Sequence, residues 1–161
     1  MSGTVFFISD THFGHRKIIE FEAEYRPFGS IEEHDEELIR RWNNAVTKHD
    51  VVYHLGDVLF GSNAFERVLS RLNGTKKLVL GNHDRYSKDR YMQYFSKVEG
   101  CMKFDNSVLS HIPIHPYQLE YRYKYNLHGH MHSKKLDDER YINCSVEQWN
   151  LAPVAYEELK K

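Results

Sequence analysis

The chain has 161 residues, and its 22 basic and 23 acidic side chains nearly cancel, so no bulk field draws it to nucleic acid or an anionic membrane. At 40% hydrophobic and 14% aromatic it has the apolar surface for one buried core, and its length suits a single domain over residues 1–161 with no room for a second. The first apolar run, residues 5–8, is too short for a secretory leader or a membrane span, and Cys101 and Cys144 lack zinc or redox spacing, which points to a cytoplasmic protein with reduced core thiols.

In chain order, residues 5–8 read as a buried strand. Ser30-Ile31-Glu32-Glu33 reads as a capping box opening a helix to about Lys48, with Leu38, Ile39, Trp42, Ala45 and Val46 on one face. His34 and His49, in or beside that helix, read as surface. Residues 51–55 form the next strand. Asn63-x-x-Glu66 starts a second helix with Phe65, Val68, Leu69 and Leu72 on its face and Asn73-Gly74 past its end. A strand over 77–80 and a shorter helix over 88–95 follow. The pattern then switches to strand-like segments at 101–104, 107–109, 121–127, 141–144 and 154–156. The first half reads as βαβ units and the second as a largely antiparallel set. Tyr121-Arg122-Tyr123-Lys124-Tyr125 alternates as a half-buried strand does, tyrosines inward and charges outward; the other account is a stacking platform flanked by phosphate contacts. Periodicity alone gives an α/β domain.

Five short stretches end or follow apolar runs with metal-ligand residues: Asp10-Thr11-His12, Gly56-Asp57, Gly81-Asn82-His83-Asp84, Ser110-His111 and Gly129-His130-Met131-His132. Loops leaving buried strands bring such residues together although they lie far apart in sequence. The spacing of two in Asp10-x-His12 and His130-x-His132 puts both side chains on one side of extended backbone, where they can share an ion. A Gly beside Asp57, Asn82 and His130 allows a tight turn. Asp and Asn supply hard oxygen, His supplies nitrogen and no Cys takes part, so the mixture suits Mn²⁺, Fe, Co or Ni at least as well as Zn²⁺. Seven candidates, Asp10, His12, Asp57, Asn82, His111, His130 and His132, exceed the needs of one tetrahedral ion and suffice for two if one carboxylate bridges.

The ordered set DxH, GD, GNHD, SH and GHxH, running from Asp10 to His132, resembles the calcineurin-like metallophosphoesterase superfamily. The resemblance implies a four-layer αββα sandwich, two mixed β-sheets flanked by helices. It implies two divalent ions, Mn²⁺ foremost, with Asp10, His12 and His132 on the first, Asn82, His111 and His130 on the second, and Asp57 bridging. A hydroxide activated between the ions would attack phosphorus in line. His83 is similar to the family's leaving-group acid and phosphate contact, and Asp84 to the acid that orients it. Val58-Leu59-Phe60 lacks the further Asp and Arg of the Ser/Thr phosphatase branch, which argues against protein dephosphorylation.

The implied activity is a metal-dependent phosphoesterase, a phosphodiesterase or phosphatase. A small nucleotide-type substrate is expected, since so short a chain leaves no cap domain or long groove. Three alternatives stay open: a nuclease acting on DNA or RNA, a non-catalytic scaffold of the same fold, and a metal-binding protein without turnover. His15, Arg16 and Arg85 lie close to the motifs and are candidates to touch substrate. Lys17, Lys88, Arg90 and His115 share that position more loosely. His54 and His128 read as packing or orienting groups behind the ligands.

Overall fold

The computed structural model describes residues 3–160. Strands β1 (Val5–Ile8), β2 (Val51–His54), β3 (Thr75–Val79) and β4 (Lys97–Glu99) run parallel in the order β4-β3-β2-β1. The strand β9 (Val154–Ala155) adds antiparallel to β1. The second sheet has the order β5 (Met102–Phe104), β6 (Ser107–Leu109), β7 (Tyr125–His128), β8 (Tyr141–Asn143). Its β5–β6 ladder is antiparallel, but β6–β7 and β7–β8 are parallel, so the largely antiparallel expectation is corrected to a mixed sheet. Long connections, which carry the fourth and fifth motifs, link these strands where hairpin turns would have forced antiparallel pairing.

Alternation along each strand builds two cores. Phe6 and Ile8 join Val52 and Leu78 beneath the helices, while Phe7, Leu55 and Val79 meet Leu109 and Leu127 between the sheets. The chain is thus an α/β fold of two mixed sheets with flanking helices. Helix α1 (Ile18–Phe21) is a single turn. Helix α2 (Ile31–Ala45) begins where the Ser30 hydroxyl accepts the Glu33 N–H at 3.1 Å, and it buries Leu38, Ile39 and Trp42. It ends at Ala45, short of Lys48, because Val46 turns extended and Asp50 accepts the Thr47 N–H at 2.6 Å. The shorter α3 (Ala64–Val68), α4 (Lys88–Met92) and α5 (Tyr156–Leu159) complete the set, α4 capped by Ser87. Among the described residues no helix is long and apolar enough to cross a membrane.

Three surface expectations fail. Residues 121–124 are irregular, and Tyr121 is 84% exposed, so the alternation there marks no half-buried strand. His34 is fully buried against Arg26 and Asp35. Cys144 is a core thiol, but Cys101 is exposed; both are free.

Candidate metal centre

The C-terminal ends of β1, β2 and β3 deliver Asp10, Asp57 and Asn82 to one end of their sheet, and those of β6 and β7 deliver His111 and His130. The ligand loops are not extended. Asp10, His12, Asp57, His130 and His132 all have φ between 50° and 71°, the left-handed region, which costs a non-glycine residue roughly 1–2 kcal/mol. Strain of this kind concentrates at functional sites. Backbone hydrogen bonds hold the first loop to the second, among them Asp10 N–H to Gly56 O at 2.9 Å, His12 N–H to Asp57 O at 3.1 Å and Phe13 N–H to Val58 O at 3.0 Å. Gly56 has a φ of 104°, and a Cβ there would lie 2.6 Å from the His111 ring. Gly129 is needed for close approach instead of a turn, because a side chain would strike Ser9 Oγ and Asp10 Oδ2.

Asp10, His12 and His132 offer atoms within 4.8 Å of one another, as do Asp57, His111 and His130. The paired histidines of the fifth motif therefore part to different groups, contrary to the expectation that their spacing lets them share an ion. Three buried atoms in this cluster, Asp10 Oδ1, His12 Nε2 and His111 Nε2, have no hydrogen-bond partner among the described residues. Each such orphan costs about 1–3 kcal/mol unless something fills it. They face each other: Asp10 Oδ1 lies 3.8 Å from His12 Nε2, 3.6 Å from His132 Nε2 and 4.0 Å from His111 Nε2. Asp57 Oδ2 stands 3.6 Å from His12 Nε2 and 3.2 Å from His111 Nε2. Carboxylate oxygens and imidazole nitrogens aimed at a common point are the donor set of a divalent transition ion, so the residues fit one.

The other atom of each group is already held. Asp10 Oδ2 accepts from Ser9 Oγ at 2.6 Å, His130 N–H at 2.8 Å and Ser145 Oγ at 3.1 Å. Asp57 Oδ1 accepts the His83 N–H at 2.9 Å. His111 Nδ1–H donates to Leu55 O at 2.7 Å, leaving Nε2 for the centre. Burial alone would raise both carboxyls, yet the neighbouring imidazoles hold Asp10 and Asp57 well below the usual carboxylate range. Burial opposes a cationic His111, but the Asp57 carboxylate outweighs it and lifts the ring to about 9. Asn82 and His130 are exposed, with Asn82 Oδ1 3.1 Å from His130 Nδ1, so the cluster opens to solvent on that side.

Behind it lies a network without a sequence signature. Arg26 is fully buried; its guanidinium donates to the carbonyls of Asp10 and Thr11, to His34 Nε2 at 3.1 Å and to Glu147 at 2.7 Å. Glu147 Oε2 in turn accepts from His132 Nδ1 at 3.0 Å, which turns His132 Nε2 toward Asp10. His34 passes the chain on to Asp35, which also holds Gly14 N–H and Arg67.

Asp84 is placed differently from its expected role. Its carboxylate accepts the N–H groups of Asp57 and Gly81, both at 2.7 Å, and of Val58 at 3.0 Å, and no hydrogen bond among the described residues joins it to the His83 ring. It orients the Asp57 loop. His15 Nδ1 lies 3.0 Å from His12 Nδ1, and burial, with the charge of His12, lowers the pKa of His15 to about 4. Arg16 is exposed beside Glu32 at 3.5 Å. Arg85 is exposed next to His83. His54 supports from behind, its Nδ1 accepting Gly56 N–H at 3.1 Å and its Nε2 2.9 Å from Thr11 Oγ1. His128 Nδ1 donates to Gly129 O at 2.8 Å.

The chain is similar to an uncharacterized protein of Methanocaldococcus jannaschii, MJ1445, 36% identical over 98% of this chain and 89% of that one. It is 29% identical to the gene 66 protein of Mycobacterium phage D29, over 91% of this chain and 89% of the phage protein. The crystal structure of AQ665 from Aquifex aeolicus, a protein of unknown function, superposes with a TM-score of 0.80 at 26% identity, covering 99% of this chain and 98% of that one. The calcineurin-like phosphoesterase family matches residues 3–152, a span that contains all five candidate loops, and the chain belongs to that family.

Proposed function

We propose that the protein hydrolyses a small nucleotide-type phosphodiester or phosphomonoester at a dinuclear metal centre. The observation that carries this reading is the convergence of three unpaired buried atoms, Asp10 Oδ1, His12 Nε2 and His111 Nε2, the two nitrogens also lying 3.6 and 3.2 Å from Asp57 Oδ2. In this reading Asp10, His12 and His132 would hold one ion and Asn82, His111 and His130 the other, with Asp57, close to a nitrogen from each set, serving both. Bound there, two divalent ions supply an activated water and the positive charge that in-line phosphoryl displacement needs. The chain's own residues do the rest. The His83 backbone is pinned to Asp57, and its ring protonates the departing oxygen. Asp84 keeps the Asp57 and Gly81 loops in register. An imidazole-rich set without thiolate favours Mn²⁺ over Mg²⁺, with Fe, Co, Ni and Zn as competitors. The near-neutral charge supports a small ester over a nucleic-acid strand, and the two free thiols support a cytoplasmic setting.

The test is to strip the protein with chelator, reload it with Mn²⁺ or Mg²⁺, and assay cyclic nucleotides, dinucleotides, monoesters and oligonucleotides. Two ions per chain and faster turnover of small esters with Mn²⁺ are expected. Preferred, steeply salt-dependent cleavage of oligonucleotides would make it a nuclease. Metal binding without turnover across the panel would leave a scaffold or metal-binding protein.

A further inference from the structure

His83 borders a cavity of about 220 Å³ that is otherwise lined by Leu59, Phe60, Gly61, Arg85 and Tyr86. These residues follow Asp57 and flank His83, so the cavity adjoins the metal centre on its His83 side. Its walls are aromatic and already ordered. Phe60 stacks on His15 at 4.1 Å with 16° between planes, and Tyr86 stands edge-on to the buried Phe65 at 5.1 Å and 85°. Rings held in this way lose little freedom when a ligand arrives. Arg85 is exposed at the rim, with no ion pair or hydrogen bond among the described residues. Pockets that take a whole drug-sized ligand measure roughly 300–1,000 Å³. This one suits a single ring system of a larger substrate.

We infer that the cavity is a leaving-group subsite that packs the base of a nucleoside against Phe60 and Tyr86, with Arg85 meeting an acceptor on the base. The inference rests on the phosphoesterase reading with His83 as the acid. A proton donor must lie within about 2.6–3.2 Å of the oxygen it protonates, so whatever that oxygen carries occupies the space His83 borders. Aromatic walls recognise a flat base by stacking and tolerate any base, since each has a π-face.

Thymidine 5′-(methyl phosphate) and its analogue lacking the base test this with Mn²⁺-loaded protein. Hydrolysis of the bond to the nucleoside gives thymidine and methyl phosphate, whereas hydrolysis of the other gives thymidine monophosphate and methanol, so the products report which group departed. The expected outcome is thymidine with methyl phosphate, at a kcat/KM roughly 5- to 100-fold above that of the base-free analogue. Tyr86→Ala and Phe60→Leu each pull that ratio toward one, and a ratio cancels any common loss from misfolding. Thymidine added to chelator-treated protein shifts the ring resonances of Tyr86 and Phe60. A wild-type ratio near one, a ratio unmoved by either substitution, methanol as the main alcohol, or unshifted resonances overturns the subsite and leaves the phosphoesterase reading standing. Failure to cleave both diesters and bis(4-nitrophenyl) phosphate as well removes the reading beneath it.

Discussion

The Arg26 guanidinium lies 2.7 Å from the Glu147 carboxylate, and neither side chain has any exposure. Removing one partner of a buried pair leaves the other charged and unsolvated, at a cost of about 3–5 kcal/mol. Arg26→Met is expected to lose about that much in urea denaturation, because it strands Glu147 and also abandons the carbonyls of Asp10 and Thr11. A loss below about 1 kcal/mol, the scale of an exposed pair, would show that the network is not structural.

Glu147→Gln keeps the shape but weakens the grip on His132 Nδ1. Orienting groups of this kind are worth about 10- to 100-fold in metal affinity. Calorimetric titration of the variant with Mn²⁺ is expected to show one weakened site and one near its original affinity. Two sites weakened alike would mean that His132 does not belong to one ion.

Asp57→Asn tests the bridge. A shared carboxylate serves both ions, so occupancy of both is expected to fall together and turnover to vanish. Metal analysis showing full occupancy in an active variant would remove the bridging role.

His83→Ala is expected to retain both ions and a folded core. Its turnover loss should be far larger on diesters with alkyl or nucleoside leaving groups than on nitrophenyl esters, whose phenolate departs without a proton. Equal losses on the two substrate types would make His83 a charge or positioning group. Lost metal would make it a ligand.

Acid stability follows from His54. Burial holds its pKa down to about 3, against an ordinary value of 6.5. The unfolded chain therefore takes up the proton first. The stabilising difference is complete above pH 6.5 and falls as pH drops from there toward 3, by up to about 1.4 kcal/mol per pH unit. His34, also lowered by burial, adds with the same sign. Urea midpoints between pH 7.5 and 4.5 are expected to fall more steeply for the wild type than for His54→Gln, and equal slopes would refute the assignment.

The candidate ligand loops stood out because each ends or follows an apolar run that the core demands, as Val5–Ile8 precedes Asp10. Ser30 and the Trp42 stripe marked α2 for similar local reasons. Strand direction in the second sheet was not readable, since an apolar run at 107–109 carries no sign of whether its neighbour runs up or down. Alternation misled at Tyr121, where among the described residues no partner strand uses it. His34 looked like a solvated residue in a first helical turn because its reason for burial, Arg26, contributes no periodic signal. Arg26 and Glu147 are separated by 121 positions, and nothing local to either announces the other.

The left-handed turns at Asp10, His12, Asp57, His130 and His132 are fixed by backbone and side-chain hydrogen bonds within the protein. Under the proposed function the cavity for the ions would be a mould cast during folding, unlike domains in which the ion itself organises the chain. Loss of metal would then leave the chain folded but less stable, because the buried Asp10, His12 and His111 atoms lose what fills them. Amide exchange of the ion-free chain is expected to keep the pattern of the loaded one, with protection lowered most in these loops. Which borderline ion would fill the mould depends on supply in the surrounding solution as well as on the donor set.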